Sequence, residues 1–411
     1  MTAPETILIN VQAPLFTFEG RLYADDQACN GLKRWAENFD HLTALFLVME
    51  GPPPQNYLPL EEEIAAYADK IRIEPLPMAY RPDQFLRHLP GTRRKIAQLI
   101  AEARYLNFAI GACLFGDWGA VACREAHRLG RPYSVWTDRV ESQVVRAGIG
   151  KGSWSKSLQA RLYHRPMAAL EKTAIRRAAL GLFHGRETYD TYVPYCRAPH
   201  LVHNIHIAQS DHVSTEALKA KQNACAEGPL KIIYVGRIDP MKGPHDWIAV
   251  LEAMHTRGID FQAVWLGSGT EEEALRARVR DTGLQDRVHL PGFAADRSDV
   301  LEALRTAHVM LFCHKTPESP RCLIEALISG SPIVGYDSGY PRDLTAAHGG
   351  GHLTPLHDID ALTDALAGLA QDRAQLAHLM GQATLAGAGF DDVTIFRHRA
   401  DLIKSHLGSS A

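Results

Sequence analysis

The second half of the chain repeats one unit: a short apolar run, a glycine turn, then a stretch with helical apolar spacing. Lys231-Ile-Ile-Tyr-Val-Gly236 opens the series and is followed by Trp247, Val250, Leu251 and Met254 at helical intervals within 246–257. Phe261 to Gly267 repeats the run and its glycine, with Ala and Leu at helical intervals across 271–282. Three more apolar runs, 288–292, 309–313 and 332–336, alternate with helical segments. Runs without polar alternation are buried on both faces, so the rhythm predicts a parallel sheet covered by helices on each side. Sheets of this kind bind ligands beyond the carboxyl ends of their strands, where these glycine turns fall.

The first half carries the same rhythm with less regular spacing. Strands are expected at 6–11, 42–49, 71–75, 108–114, 133–136 and 180–184, and helices at 29–38, 92–104 and 119–129. The fold class is therefore α/β, with two doubly wound, Rossmann-like domains facing a cleft. The expected division is 1–205 for the first domain, 206–228 for a linker that ends at Gly228 before Pro229, 229–390 for the second domain, and 391–411 for a C-terminal helix packing back on the first. The length of 411 residues suits two domains.

Composition narrows the function class. A 46% hydrophobic and 22% charged chain is far from the polar balance of disordered proteins. The N-terminal residues have no basic leader and no run of about 18 apolar residues spans a bilayer, so a cytoplasmic location is expected. Seven scattered cysteines, none at C-x-x-C spacing, suggest neither a disulfide framework nor a thiolate zinc site. The 20 histidines show no H-E-x-x-H or paired helical pattern, so no metal site is expected. Charge is unevenly spread: the first 225 residues hold 27 Lys and Arg against 23 Asp and Glu, and the rest 17 against 24. Within 146–177, Arg146, Lys151, Lys156, Arg161, Arg165, Lys172, Arg176 and Arg177 stand against Glu171 alone, interleaved with Trp154, Leu158, Leu162, Tyr163, Met167 and Leu170. Such a segment is either a peripheral contact with anionic membrane or a solvated helix whose apolar side packs on the core.

Two segments carry the chemistry. Val235-Gly-Arg-Ile-Asp-Pro-Met-Lys-Gly243 follows a buried strand and opens a helix, with Arg237 and Lys242 placed to converge on a phosphate pair; neither the G-x-G-x-x-G nor the P-loop glycine spacing is present. Farther on, a Pro/Ser-rich loop, Thr316 to Pro320, feeds a helix that carries Glu325 about two turns in, where a carboxylate suits a sugar diol.

With G-R-I-D-P-x-K-G, W-L-G-S-G-T, H-L-P-G-F and P-E-S-P-R-x-L-I-E-A-x-x-S-G-x-P-I-V in this order, residues 228–390 resemble the family 4 glycosyltransferases of the GT-B fold. In the first half the resemblance is architectural, as suits a domain that reads the acceptor. The resemblance implies that Arg237 and Lys242 bind the donor diphosphate, that the Ser319–Leu323 loop with Arg321 and Cys322 adds backbone donors, and that Glu325 holds the ribose hydroxyls. It places Glu318 against the transferred sugar, although six residues separate Glu318 from Glu325 where the family has seven. Gly236, Gly267 and Gly269 would flank the nucleotide, and Gly292-Phe293 would meet the base, uracil or guanine. Asp138 stands where the family's first domain has a His, and is the candidate for contact with donor sugar or acceptor. Phe18 to Arg21 is either an acceptor loop or a structural turn. His203-Asn204 and His184 to Arg186 are strand ends for which a turn role is expected.

The implied activity is retaining, metal-independent transfer of a sugar from a nucleotide diphosphate donor to a hydroxyl of a glycan or lipid-linked acceptor, in surface polysaccharide or glycolipid assembly. No D-x-D metal motif is recognised, and no metal or cofactor is expected. A GT-B nucleotide-sugar epimerase, a phosphorylase and a non-catalytic nucleotide-sugar-binding subunit are the alternatives.

Overall fold

A computed structural model describes residues 4–408 apart from 55, 112, 148, 151–153, 295 and 317. The chain forms two compact units, one built from the residues up to His206 together with those from Asp392 onward, the other from Ile207–Asp391.

The first unit has nine strands: β1 (Thr6–Phe18), β2 (Arg21–Asp25), β3 (His41–Glu50), β4 (Tyr57–Pro59), β5 (Ile71–Pro77), β6 (Tyr105–Ala109), β7 (Ser134–Thr137), β8 (Leu180–His184) and β9 (Pro199–Val202). Seven of them run parallel in the order β5-β3-β1-β6-β7-β8-β9. The far half of β1 pairs antiparallel with β2, which pairs antiparallel with β4. Glu19 and Gly20, with φ of 49° and 74°, make the two-residue turn between β1 and β2. Positive φ at both positions is the type I′ hairpin geometry, so Phe18 to Arg21 is a hairpin turn. The expected strand 108–114 lies instead at Tyr105–Ala109, because the apolar run continues past the strand end into the following loop.

Apolar side chains fill both faces of this sheet. On one face the helix Asp26–Asn38 and the helix Asp392–Leu407 lie together, with Trp35 edge-on to Phe396 at 5.4 Å and with Ala400, Ile403 and Leu407 buried. Each large apolar side chain buried there contributes about 1.5–3 kcal/mol, so the last helix is part of this unit's core. The opposite face is covered by the helices Pro82–Glu102, Trp118–Arg128 and Trp154–Arg177.

The second unit has six strands: β10 (Leu230–Val235), β11 (Phe261–Leu266), β12 (Val288–Gly292), β13 (Val309–Phe312), β14 (Ile333–Tyr336) and β15 (Gly351–Thr354). All are parallel, in the order β12-β11-β10-β13-β14-β15. Strand order reverses between β10 and β13, which is where a doubly wound sheet opens its ligand crevice.

The expected linker 206–228 is not a linker. From Ile207 onward it belongs to this unit and contains the helix Thr215–Ala224, capped by the Ser214 hydroxyl. Lys221 on that helix is buried, and its Nζ donates to the carbonyls of Leu304 and Ser329 and to Ser331 Oγ. A cation with three fixed acceptors anchors the segment, although burial lowers its pKa to about 7. The polar composition of 206–228 conceals this, because the buried side chain of the helix is a lysine. Among the described residues no helix is long and apolar enough to cross a membrane.

Candidate functional site

The neighbouring strands β10 and β13 bring together residues nearly 80 positions apart. After β10 the chain turns at Gly236, passes Arg237, makes a short 3-10 turn at Pro240–Lys242 and enters the helix Pro244–Thr256 through Gly243. Gly243 has a φ of 67°, and a Cβ there would lie 2.1 Å from the Cys313 carbonyl oxygen at the end of β13. Only glycine permits so close an approach, and it carries Lys242 into the loop that follows β13. Lys242 is 9% exposed and its Nζ lies 2.7 Å from Glu318 Oε2.

Behind Glu318 stands a buried pair that the sequence does not announce. His314 Nδ1 lies 3.4 Å from Glu318 Oε1, and His314 Nε2 lies 2.6 Å from the Tyr234 hydroxyl. Burial, and after it the Lys242 charge, hold the His314 imidazole well below the usual histidine range. A neutral imidazole has one N–H. Its neighbour on the Nδ1 side is a carboxylate, which only accepts, so the proton is assigned to Nδ1 and Nε2 accepts from Tyr234. The one sequence signal is the position of His314, at a strand end and four residues before Glu318.

The helix fed by the second loop runs from Arg321 to Ile328, so Glu325 sits just over one turn from its start rather than two. One oxygen of Glu325 is engaged by Arg297 at 2.8 Å, and Arg297 also lies 3.4 Å from Asp211. Arg297 is a second residue that no sequence motif singles out. The Leu323 side chain is fully buried and its N–H donates to the Pro320 carbonyl at 3.3 Å, so Leu323 is a packing residue and offers no backbone donor to a ligand. Burial pushes the Cys322 thiol up to about 12, which keeps it protonated. Ser319 and Arg321 lie just before and at the helix start, both partly buried.

Gly267 and Gly269 are explained by crowding. A Cβ on Gly267 would lie 2.1 Å from the Gly236 carbonyl oxygen, and one on Gly269 would lie 2.4 Å from the Ile238 carbonyl oxygen. The loops after β10 and β11 are thus stitched together, and Thr270 and Arg237 both bond Asp239. Gly292 accepts from the Gly267 N–H at 2.8 Å, and Phe293 beside it is 78% exposed, an aromatic face next to the row of strand ends. Arg237, with its side chain 72% exposed, is the accessible cation of the group. One exposed and one buried cation, two carboxylates and loop backbone around a sheet crevice suit an anionic ligand bearing hydroxyls. Among the described residues no group of three or more His, Cys, Asp or Glu could hold a metal.

Asp138 belongs to the first unit. It is exposed, follows β7 and borders a cavity of about 200 Å³ whose lining also includes Trp136, Asn204, His206, Phe396 and Arg399. His184 accepts from the Asn204 N–H at 2.9 Å, so it holds the loop after β9 in place.

Residues 216–385 match the model of the family described as Glycosyl transferases group 1. The WcaL protein of Escherichia coli K12, named as a glycosyltransferase of colanic acid biosynthesis, is 32% identical over 186 residues, covering 43% of this chain and 45% of that protein. A 2-deoxystreptamine N-acetyl-D-glucosaminyltransferase of Streptomyces fradiae is 30% identical over 216 residues, covering 50% of each. The chain thus spans about half the length of the curated relatives it matches. The crystal structure of HepE from Anabaena in complex with UDP shares the fold, with a TM-score of 0.66 over 98% of this chain and all of that one, at 18% identity.

Proposed function

From a chain whose residues 216–385 match the glycosyl transferases group 1 model and which has the GT-B fold, we propose that it transfers a sugar from a nucleoside diphosphate sugar to a hydroxyl of a glycan or lipid-linked acceptor. The transfer is retaining and metal-independent, and serves assembly of a surface polysaccharide or glycolipid at the cytoplasmic face of a membrane. The observation that carries the proposal is the Lys242–Glu318 pair between the loops that follow β10 and β13, where strand order reverses, with Arg237 on the first of these loops and Glu325 on the helix that follows the second.

Arg237 and Lys242 supply the charge that balances the departing diphosphate. Lys242 rests on Glu318, which orients its ammonium for phosphate oxygens. The neutral His314 lies 3.4 Å from the other Glu318 oxygen. In this reading Glu318 faces the transferred sugar, and the carboxylate oxygen of Glu325 not engaged by Arg297 accepts from a ribose hydroxyl. Phe293 offers its ring to the base. HepE was crystallised with UDP and with UDP-glucose, which supports a UDP-sugar as the first donor to test.

The test is turnover of UDP- and GDP-sugars after exhaustive EDTA treatment, with and without acceptor, and with the anomeric configuration of the product read by NMR. Chelated enzyme that keeps its rate and yields a retained anomer supports the reading. A strict metal requirement or an inverted anomer overturns it, and a free epimerised nucleotide sugar favours the epimerase.

A further inference from the structure

Among the described residues, one buried cation of the first unit has no counter-ion. Arg399, on the helix Asp392–Leu407, is 5% exposed. Its guanidinium lies 5.1 Å from the Trp35 ring centre, 5.2 Å from that of Trp136 and 5.0 Å from that of Phe396. Among the described residues no carboxylate comes within ion-pair distance of it, and its Nε has no hydrogen-bond partner. The Nε1–H of Trp136, which is 9% exposed, is likewise buried and unpartnered. Both side chains line the cavity of about 200 Å³.

The carboxylates on that lining are Asp25 and Asp138. Asp25 is committed to the start of the helix Asp26–Asn38, where it accepts from the Ala28 N–H, and to Asn56. Asp138 is exposed at the rim. Asn10 bonds the backbone of Ala109 through both its amide atoms, and Gln12 donates to the Ile110 carbonyl. Among the described residues of this lining, the buried side-chain polar atoms without a hydrogen-bond partner are Arg399 Nε and Trp136 Nε1. Three aromatic faces stabilise a guanidinium in part, but a desolvated cation still calls for an anion. Burial has drawn the Arg399 pKa down to about 9, which leaves it charged at neutral pH.

We propose that this cavity is an oxyanion subsite, in which a phosphate or carboxylate carried by the acceptor is bound by Arg399 and the Trp136 indole N–H. The acceptor part rests on the transferase reading above; the binding of an oxyanion does not. A phosphate or carboxylate accepts several hydrogen bonds at once, which matches two fixed donors with none of their own partners. The aromatic faces fix the guanidinium plane, so that the subsite is organised before the ligand arrives.

Trp35 and Trp136 flank the site and report on it. Inorganic phosphate and acetate, titrated separately at constant ionic strength, are expected to change tryptophan fluorescence saturably in the wild-type protein. Stronger binding of phosphate assigns the group to a phosphorylated acceptor, and stronger binding of acetate to an acidic sugar. Arg399→Met should weaken the response at least tenfold. Because that variant alters a core position, Trp136→Phe is the companion: it keeps an aromatic ring, removes one donor and should weaken binding several-fold at an unchanged melting temperature. Arg237→Ala, which alters the other anion-binding cation, should respond like wild type. A response absent from wild type, or unchanged in both Arg399→Met and Trp136→Phe, overturns the proposal and leaves water as the only occupant. Oxyanion binding without sugar transfer would remove the acceptor assignment and keep the subsite.

Discussion

Arg237 and Lys242 look like equivalent cations in the sequence, and the structure separates them. Arg237 is exposed and pairs with Asp239, and an exposed pair of this kind contributes at most about 1 kcal/mol. Arg237→Ala should therefore melt close to wild type while losing on the order of 3 kcal/mol of transition-state stabilisation, a rate loss of more than about 100-fold. Activity within a few-fold of wild type would remove Arg237 from the site. Lys242→Ala strands the Glu318 carboxylate in a largely buried position, so it should lower both activity and melting temperature. Adding Glu318→Gln to it should recover much of the stability and none of the activity, and a double-mutant cycle measures the coupling. A further residue-scale expectation concerns pH. Burial holds His308 at about 4 against an ordinary value near 6.5, so below about pH 6.5 the unfolded chain takes up a proton that the folded chain refuses. Stability is fully present above that value and falls as pH drops, by about 1.4 kcal/mol per pH unit for each such group until the folded pKa is reached. His308 Nδ1 accepts from the Lys231 N–H, a bond the Asn carbonyl can replace. His308→Asn should flatten the decline in melting temperature of the second unit between pH 6.5 and 4.5; an unaltered slope would mean that His308 is not its source.

The helix Trp154–Arg177 carries the basic segment. Trp154 is 80% exposed, Leu158 40% and Leu162 61%, at four-residue intervals, while the core contact is made by Ala160, Met167, Ala174 and Ile175. Its large apolar side chains thus face solvent beside Lys156, Arg161 and Arg165; Lys151 lies outside the described residues. At about 1 kcal/mol per basic residue near an anionic surface, this helix should bring the protein to anionic vesicles at low salt and release it at high salt. Leu162→Glu with Arg161→Glu and Arg165→Glu should abolish sedimentation with vesicles at unchanged stability, and a wild-type protein indifferent to anionic lipid would leave the helix a solvated face. At this scale the sequence is most legible where strands are buried on both faces, since a short apolar run closed by a glycine turn, such as 261–266, fits little except a buried strand. It is least legible at the sheet margins. Arg21–Asp25, Tyr57–Pro59, Pro199–Val202 and Gly351–Thr354 are short and mixed in character, and pairing makes them strands more than composition does. In the same way Arg237, Lys242, Glu318 and Glu325 stand inside motifs, whereas His314, Arg297 and Arg399 take their meaning from partners distant in sequence.

For the molecule as a whole, the chain leaves the first unit after His206, builds the second, and returns at Asp392 to complete the first. Deleting 392–408 would strip Phe396, Ala400, Ile403 and Leu407 from the first unit's core, at about 1.5–3 kcal/mol for each large side chain. The truncated protein should show a second unit that resists limited proteolysis and a first unit that is digested. Equal resistance of both units would mean that the helix is dispensable. The same connectivity sets a clock on synthesis. The sheet of the first unit is translated early, yet its closing helix emerges only after the intervening 207–391 have been made, a delay of roughly 10 to 40 seconds at 5–20 residues per second. Throughout that interval Trp35, Phe39 and Tyr105 lack the cover the last helix provides, which makes the nascent first unit a client for chaperones. The inserted unit is one continuous stretch, and can finish folding before the unit that precedes it.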